Sequence, residues 1–391
     1  MRVLIILKYI PTFSSNFKSD LLHTIIKGHE EEGHSVLLLS TSWAAPSKWD
    51  VINDGFWLHQ RALYWLLGKI STPLAFHYRQ PHIIRSVIRE HKSDPIDVIL
   101  AVCTADYPGL CAYAINDVSG IPYVIQEHKN FERKYSFLDD IDKLYLKSLR
   151  DANALITVSP QAKDVMIKLG VRKDIAVIPN ALSDEFYITP VVEKGMLCDE
   201  IRKWGDGGFI YGAWTNWRDI KRLDILLKAF LEVRCSDINA KLIIAGSIQS
   251  QSDEIWVKNF ITENSLDNYI LLFGVADREQ IHQIAYAIDC CVISSDYETF
   301  GLPALEALAA GKPVVSTRCN GPEYIINSTK LGRVVEKGDS SILASAMKEI
   351  YNTRRTFDPE LIRNSALQRF SRSSVRNQFT RIYREVINGK Q

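Results

Sequence analysis

The chain has 391 residues, 46% hydrophobic and 24% charged, with a net charge of +1. That length exceeds what one hydrophobic core supports and divides by default into two domains. The balanced charge leaves no general nucleic-acid footprint. The seven cysteines carry no CxxC or Cys/His ligand spacing, which fits reduced cytosolic thiols.

In chain order, the apolar run 3–7 reads as a buried first strand. It is too short for a signal peptide and is interrupted by Lys8. No run reaches transmembrane length, so a cytoplasmic protein is expected, at most leaning on the inner face of the plasma membrane. A helix over 17–32 ends near Gly33, and strand 35–39 follows. A long insertion leads to strands 98–102, 123–125, 155–158 and 175–178, with helices over 141–150 and 161–169 between them. This alternation is the βαβ rhythm of a doubly wound parallel sheet.

Periodicity is lost over roughly 182–208, which includes Pro190, Gly195 and Gly205-Asp206-Gly207-Gly208. The rhythm then restarts with strands 209–213, 242–245, 270–273, 290–293 and 314–316. Helices are expected over 223–233, 255–262, 278–285 and 303–310. The expected fold is α/β, with two Rossmann-like doubly wound sheets facing a cleft. The expected domains are 1–185, a linker 186–207, and 208–371. A final helical pattern over 377–387 stands outside the alternation, and the segment 372–391 is placed to cross back to the first domain. Ligands of such sheets sit at the carboxyl ends of the strands.

The chemistry concentrates between Ser294 and Val315. A buried strand, 290–293, runs into the loop Thr299-Phe300-Gly301-Leu302 and then a helix beginning near Pro303 and stopped by Gly311. Gly301 permits close backbone approach, and the first helical N–H groups form an anion site. Glu298 and Glu306 bracket the loop. Their spacing alone carries no weight, and Glu306 reads either as a solvated side chain or as a buried carboxylate with donors. Lys221 and Arg222 follow the first strand of the second domain and read as phosphate-facing cations or as plain surface charge.

These residues resemble the retaining, GT-B fold glycosyltransferases of family 4. Glu298 to Glu306 with Phe300-Gly301-Leu302-Pro303 is similar to that family's E-x7-E motif, continued by Gly311-Lys312-Pro313-Val314-Val315 and Asn320-Gly321-Pro322-Glu323. The stretches 270–274, 177–181, 33–36 and 122–128 match more loosely. The resemblance implies transfer of a sugar from a nucleotide sugar to an acceptor hydroxyl with retained configuration, in bacterial surface polysaccharide or glycoconjugate assembly. It implies Glu306 on the ribose and Glu298 beside the donor sugar. Thr299, Phe300, Gly301 and Leu302 would hold sugar and diphosphate, with Lys221 on the leaving diphosphate and Arg218 or Arg222 standing in for the family's usual Arg. Val275 would meet the base, and His128 would approach the sugar from the other domain. No metal or other cofactor is implied, and the acceptor would be a carbohydrate or lipid-linked saccharide.

The chain departs from the family pattern in three places. Ala213 stands where an Arg is usual, Ser14-Ser15-Asn16 replaces a Gly-Gly loop, and Ala181 replaces a Gly. The Ala213 departure keeps open a catalytically idle nucleotide-sugar binder, and a GT-B epimerase is the alternative among enzymes. Asp140-Ile141-Asp142 reads as an acidic helix start rather than a metal motif. The aromatic and basic stretch 56–89 reads as packing of an insertion or as a patch resting on a membrane.

Overall fold

The computed structural model describes residues 1–8, 17–41, 72–104, 107–129, 140–187, 196–236 and 238–389. The chain divides into two compact units, Met1–Pro179 with Arg372–Gln391, and Asn180–Ser371.

In the first unit the elements run β1 (Arg2–Leu7), α1 (Phe17–Glu31), β2 (Ser35–Ser40), α2 (Thr72–Ser93), β3 (Val98–Cys103), α3 (Tyr107–Ser119) and β4 (Tyr123–Glu127). They continue with α4 (Asp140–Asp151), β5 (Ala154–Thr157), α5 (Pro160–Lys168) and β6 (Ile175–Val177). The strands form one parallel sheet in the order β2-β1-β3-β4-β5-β6. Every residue of β3 is buried, as expected for a central parallel strand covered on both faces. One face packs Leu4, Ile6, Ile99 and Ile125 against Val87, Leu110, Ile115 and Tyr145 from the helices.

Asp140 opens α4, so the D-x-D string lies at a helix start. Of the stretch 56–89, residues from Thr72 onward lie on α2, where Arg79 is buried and Arg85 exposed. Residues 56–71 and Ser14-Ser15-Asn16 lie outside the described residues.

The second unit begins with a 3-10 turn at Asp184–Phe186, α6 (Met196–Gly205), β7 (Phe209–Trp214), a 3-10 turn at Asp219–Lys221 and α7 (Leu223–Arg234). It continues through β8 (Ala240–Ala245), α8 (Gln251–Glu263), β9 (Ile270–Gly274), α9 (Arg278–Ala287) and β10 (Cys290–Ile293). Then come α10 (Leu302–Ala309), β11 (Val314–Thr317), α11 (Gly321–Ile325), β12 (Gly332–Val335), α12 (Ser340–Thr353) and α13 (Pro359–Phe370). The stretch expected as linker, 186–207, thus holds the helix α6. Beyond the strands named from sequence, the alternation continues into β12.

This second sheet is also parallel, in the order β12-β11-β10-β7-β8-β9. The chain builds outward from β7 to β9, then returns to the other side of β7 and builds outward again. The reversal lies between β7 and β10. In such sheets the carboxyl ends of the two strands flanking a reversal are the usual ligand position.

The last helix, α14 (Arg372–Ile387), belongs to the first unit and packs on α1. His29 of α1 meets the Tyr383 hydroxyl at 2.7 Å, and Arg376 reaches Glu31 at 3.2 Å.

Candidate active site

The loops after β7 and β10 are stitched together by the backbone. Ser294 Oγ donates to the Lys221 carbonyl at 2.8 Å, and the Asp296 N–H donates to the Ile220 carbonyl at 2.8 Å. This fixes the 3-10 turn that presents Lys221. Its side chain is only 10% exposed and its ammonium lies 2.5 Å from Glu298 Oε1. Ser295 Oγ donates to the same carboxylate oxygen at 3.0 Å. A buried ammonium requires such a partner.

Glu298 is held by the backbone on both sides. Its N–H donates to the Cys319 carbonyl at 2.7 Å, and its carbonyl accepts from the Gly321 N–H at 2.9 Å. The loop 298–302 therefore lies flat on the start of α11. Two glycines allow that approach. A Cβ on Gly321 would sit 2.4 Å from the Phe300 backbone, and one on Gly301, at φ +91°, would sit 2.8 Å from Pro322. The Phe300 ring turns inward against Phe370.

Gly301 is also the N-cap of α10. Helices α8, α9, α12 and α13 begin with Ser or Asp side chains that accept the first N–H groups. Gly301 has no side chain to do so. The N–H groups of Phe300, Gly301 and Leu302 donate to no other group among the described residues. They add to the positive end of the helix dipole, an arrangement that binds phosphate or sugar oxygens.

Glu306 lies one turn further along α10 and is 2% exposed. Its Oε2 accepts from the Trp214 indole N–H at 2.7 Å, and its Oε1 from Arg278 Nη1 at 2.6 Å. Arg278 also donates to Ser183 Oγ. The open choice for this residue resolves as a buried, paired carboxylate. Each oxygen keeps capacity for a further donor.

The remaining expected residues are placed as follows. Arg222, in the left-handed conformation at φ 50°, pairs with Asp224 at 3.0 Å and Asp296 at 3.3 Å, so its charge is already matched. Thr299 is half-buried in the loop. Val275 follows β9 and is 74% exposed. Ala213 is 2% exposed inside β7, whereas Arg218, in the following loop, is exposed. His128 belongs to the first unit and follows β4, with its N–H on the Cys103 carbonyl at 3.1 Å. Its Nε2 is buried without a partner among the described residues, and burial lowers its pKa to about 4. The ring is neutral at physiological pH.

Trp214, Arg278, Ser183 and Ser295 were not anticipated. No periodicity or spacing links position 278 to 306, because the contact exists only once β7, β9 and β10 are assembled. Among the described residues no group of three or more His, Cys, Asp or Glu gathers as a metal cluster.

Two family models cover most of the chain. One describes glycosyl transferases group 1 and matches residues 209–366; the other describes glycosyltransferase family 4 and matches 21–186. The chain belongs to the group 1, family 4 glycosyltransferases. Within this family it resembles N-acetyl-alpha-D-glucosaminyl L-malate synthase of Bacillus anthracis, with 26% identity over 45% of the chain and 46% of that protein. It resembles mannosylfructose-phosphate synthase of Agrobacterium fabrum at 26% identity, over 58% of the chain and 51% of that protein. The match therefore spans about half the length of these curated relatives.

Solved structures share the fold across the whole length. HepE of Anabaena in complex with UDP superposes with a TM-score of 0.75 at 18% identity, covering 97% of this chain and 99% of that one. Sucrose-phosphate synthase of Thermosynechococcus elongatus gives 0.76 at 15% identity, covering 99% of both. The architecture of this glycosyltransferase-family chain is GT-B, with two Rossmann-like parallel sheets.

Proposed function

We propose that the protein transfers a sugar from a nucleoside-diphosphate sugar to an acceptor hydroxyl with retention of anomeric configuration. The observation that carries this reading is the Lys221–Glu298 pair beside the uncapped start of α10, at the strand-order reversal of the second sheet.

As the glycosidic bond breaks, negative charge grows on the departing diphosphate. Lys221 and the N–H groups of Phe300, Gly301 and Leu302 are preorganised to receive it, so little reorganisation is needed at the moment of reaction. Glu298, oriented by Ser295 and its two backbone bonds, is assigned to the hydroxyls of the donor sugar. Glu306, oriented by Trp214 and Arg278, is assigned to the ribose diol, and the exposed Val275 segment to the base. Thr299 lines the same loop. Arg222 braces it through Asp296 rather than touching phosphate. His128, a neutral imidazole, is the residue of the first unit assigned to the sugar. The scheme uses no metal ion or other cofactor.

Structural neighbours crystallised with UDP and with UDP-glucose support a uridine nucleotide as the first donor to try. Similarity to a capsular polysaccharide biosynthesis glycosyltransferase of Staphylococcus aureus, 24% identical over 73% of the chain, supports a role in surface polysaccharide assembly, with a carbohydrate or lipid-linked saccharide as acceptor. On this reading the protein works in the cytoplasm, at the inner face of the membrane that carries its acceptor. Among the described residues no helix is long and apolar enough to cross one.

The test is a panel of nucleotide sugars, read by thermal shift and by release of nucleoside diphosphate. A donor that raises the melting temperature and is turned over supports transfer. Binding without release of nucleoside diphosphate under any acceptor condition would leave the idle binder as the reading.

A further inference from the structure

The second unit contains a cavity at the amino-terminal ends of its strands, opposite the Lys221 loops. Its volume is about 500 Å³. Phe209, which opens β7, Asp289, just before β10, and Pro313, just before β11, lie along it. Lys312 and Arg354 bring positive charge to it, as does Arg202.

Most of that charge is already matched. Asp289 Oδ1 accepts from Arg202 Nη1 at 2.9 Å, and its Oδ2 accepts from the Ile210 N–H at 2.8 Å. Arg202 Nη2 donates to the carbonyls of Tyr286 and Ile288 at 3.3 and 3.1 Å. This pair therefore closes on itself. Arg354 lies over the Tyr351 ring and donates one Nη1 bond to the Tyr351 carbonyl at 2.6 Å, which leaves the rest of its fork open among the described residues.

Lys312 stands apart. Its backbone N–H ties off the end of α10 on the Ala307 carbonyl at 2.9 Å, while its side chain lines the cavity. Its amine has no hydrogen bond or ion pair among the described residues. Burial lowers its pKa to about 8, and repulsion from Arg202 adds to the effect while Asp289 opposes it. Compared with an ordinary lysine near 10.4, the uncharged fraction at pH 7.5 is raised roughly 200-fold. The lower basicity returns about a factor of ten in intrinsic nucleophilicity.

We propose that Lys312 is an acylation site whose cavity admits small acyl phosphates. The uncharged amine attacks the acyl carbon and a C–N bond forms. The C–O bond to phosphate breaks, inorganic phosphate leaves with the bonding electron pair, and the surplus proton on nitrogen passes to solvent. Arg354 holds the phosphate group through its open guanidinium edge, a geometry suited to phosphate oxygens. This inference is independent of the donor reading, because it concerns the opposite, amino-terminal end of the strands.

The experiment incubates the full chain with acetyl phosphate between pH 7 and 9.5 and follows each lysine by peptide mass spectrometry. Lys258 is the internal reference, with a side chain 62% exposed and paired to Glu254. Lys312 is expected to acetylate at least fivefold faster than Lys258 at pH 7.5, with a rate that levels off above about pH 8. R354Q is expected to slow Lys312 severalfold with acetyl phosphate, yet leave its rate with uncharged acetic anhydride unchanged, at an unaltered melting temperature. A Lys312 rate no greater than that of Lys258, a rate still climbing at pH 9.5, or indifference to R354Q would each overturn the proposal.

Discussion

Lys221 Nζ lies 2.5 Å from Glu298 Oε1, joining two loops that are 77 residues apart in the chain. Each residue satisfies the charge of the other in a position where neither has much water. In the proposed scheme a diphosphate would meet a cation already oriented, and a sugar a carboxylate held by Ser295 and the backbone.

The first prediction follows from that pair. K221A is expected to lower kcat by about 10² to 10³, equivalent to about 3–4 kcal/mol of lost charge stabilisation on the leaving diphosphate. The donor KM should change much less. Release of nucleoside diphosphate under saturating donor measures it, and a kcat within threefold of the parent would remove Lys221 from the chemistry.

Glu306 is expected to show two separable effects. E306A leaves the Arg278 guanidinium buried without its carboxylate, and loss of one partner of a buried pair costs about 3–5 kcal/mol. E306Q keeps the shape and removes the charge, and is expected to raise the donor KM about tenfold, because a charged hydrogen bond to the ribose contributes roughly 1.5–3 kcal/mol. If E306Q is folded by thermal melt and its donor KM is unchanged, Glu306 is a structural anchor only.

Gly301 is expected to tolerate no side chain. G301A places a methyl 2.8 Å from Pro322 in a left-handed conformation. Destabilisation of about 1–3 kcal/mol is expected, together with weaker donor binding as the N–H groups of the loop shift. Denaturant unfolding and donor titration on the same sample read both. Normal stability with normal affinity would mean the close packing is dispensable.

Acid sensitivity should centre on His29. Its Nδ1 faces the Ile25 carbonyl at 2.8 Å and must carry the proton, so Nε2 accepts from the Tyr383 hydroxyl. Burial lowers its pKa to about 4, against a partial opposing effect of the Ile25 bond and a further lowering by His34. Between about pH 6.5 and 4 the unfolded chain binds this proton and the folded chain does not, so stability falls as pH falls. The contribution is complete above 6.5 and amounts to about 3 kcal/mol lost by pH 4. His128, also lowered to about 4 by burial, titrates with the same sign. H29Q should flatten the loss of stability between pH 6.5 and 4, measured by urea unfolding. An unchanged slope would sink the assignment.

Activity should persist in the presence of EDTA, since Lys221 and backbone N–H groups take the leaving-group charge in the proposed scheme. Loss of turnover on chelation, restored by a divalent cation, would replace that scheme.

Much of the architecture follows from patterns carried along the chain itself. Short β-rich runs alternating with amphipathic helices define two parallel sheets, because buried strands and period-3.6 helices leave different marks. The turn into α10 was legible for a similar reason. A strand, a Gly, a Pro and a terminating Gly within 22 residues specify one local turn, and Gly301 does occupy a left-handed N-cap. Helix α6 escaped notice because its flanks are rich in glycine and its surroundings aperiodic.

Partnership between distant positions was decided by the tertiary structure. The composition around Glu306 permitted either a wet or a buried carboxylate, and only the meeting of β7, α9 and α10 supplied Trp214 and Arg278. Sequence left Arg222 as a phosphate-facing cation or plain surface charge, and only the fold brings Asp296 of the β10 loop beside it. Lys312 is one residue of an ordinary loop by sequence, and becomes an isolated amine only when the strand ends enclose it. Local pattern fixes backbone conformation through sterics and periodic burial. Charge states, hydrogen-bond partners and reactivity depend on which groups, remote in the chain, share a space that water has left.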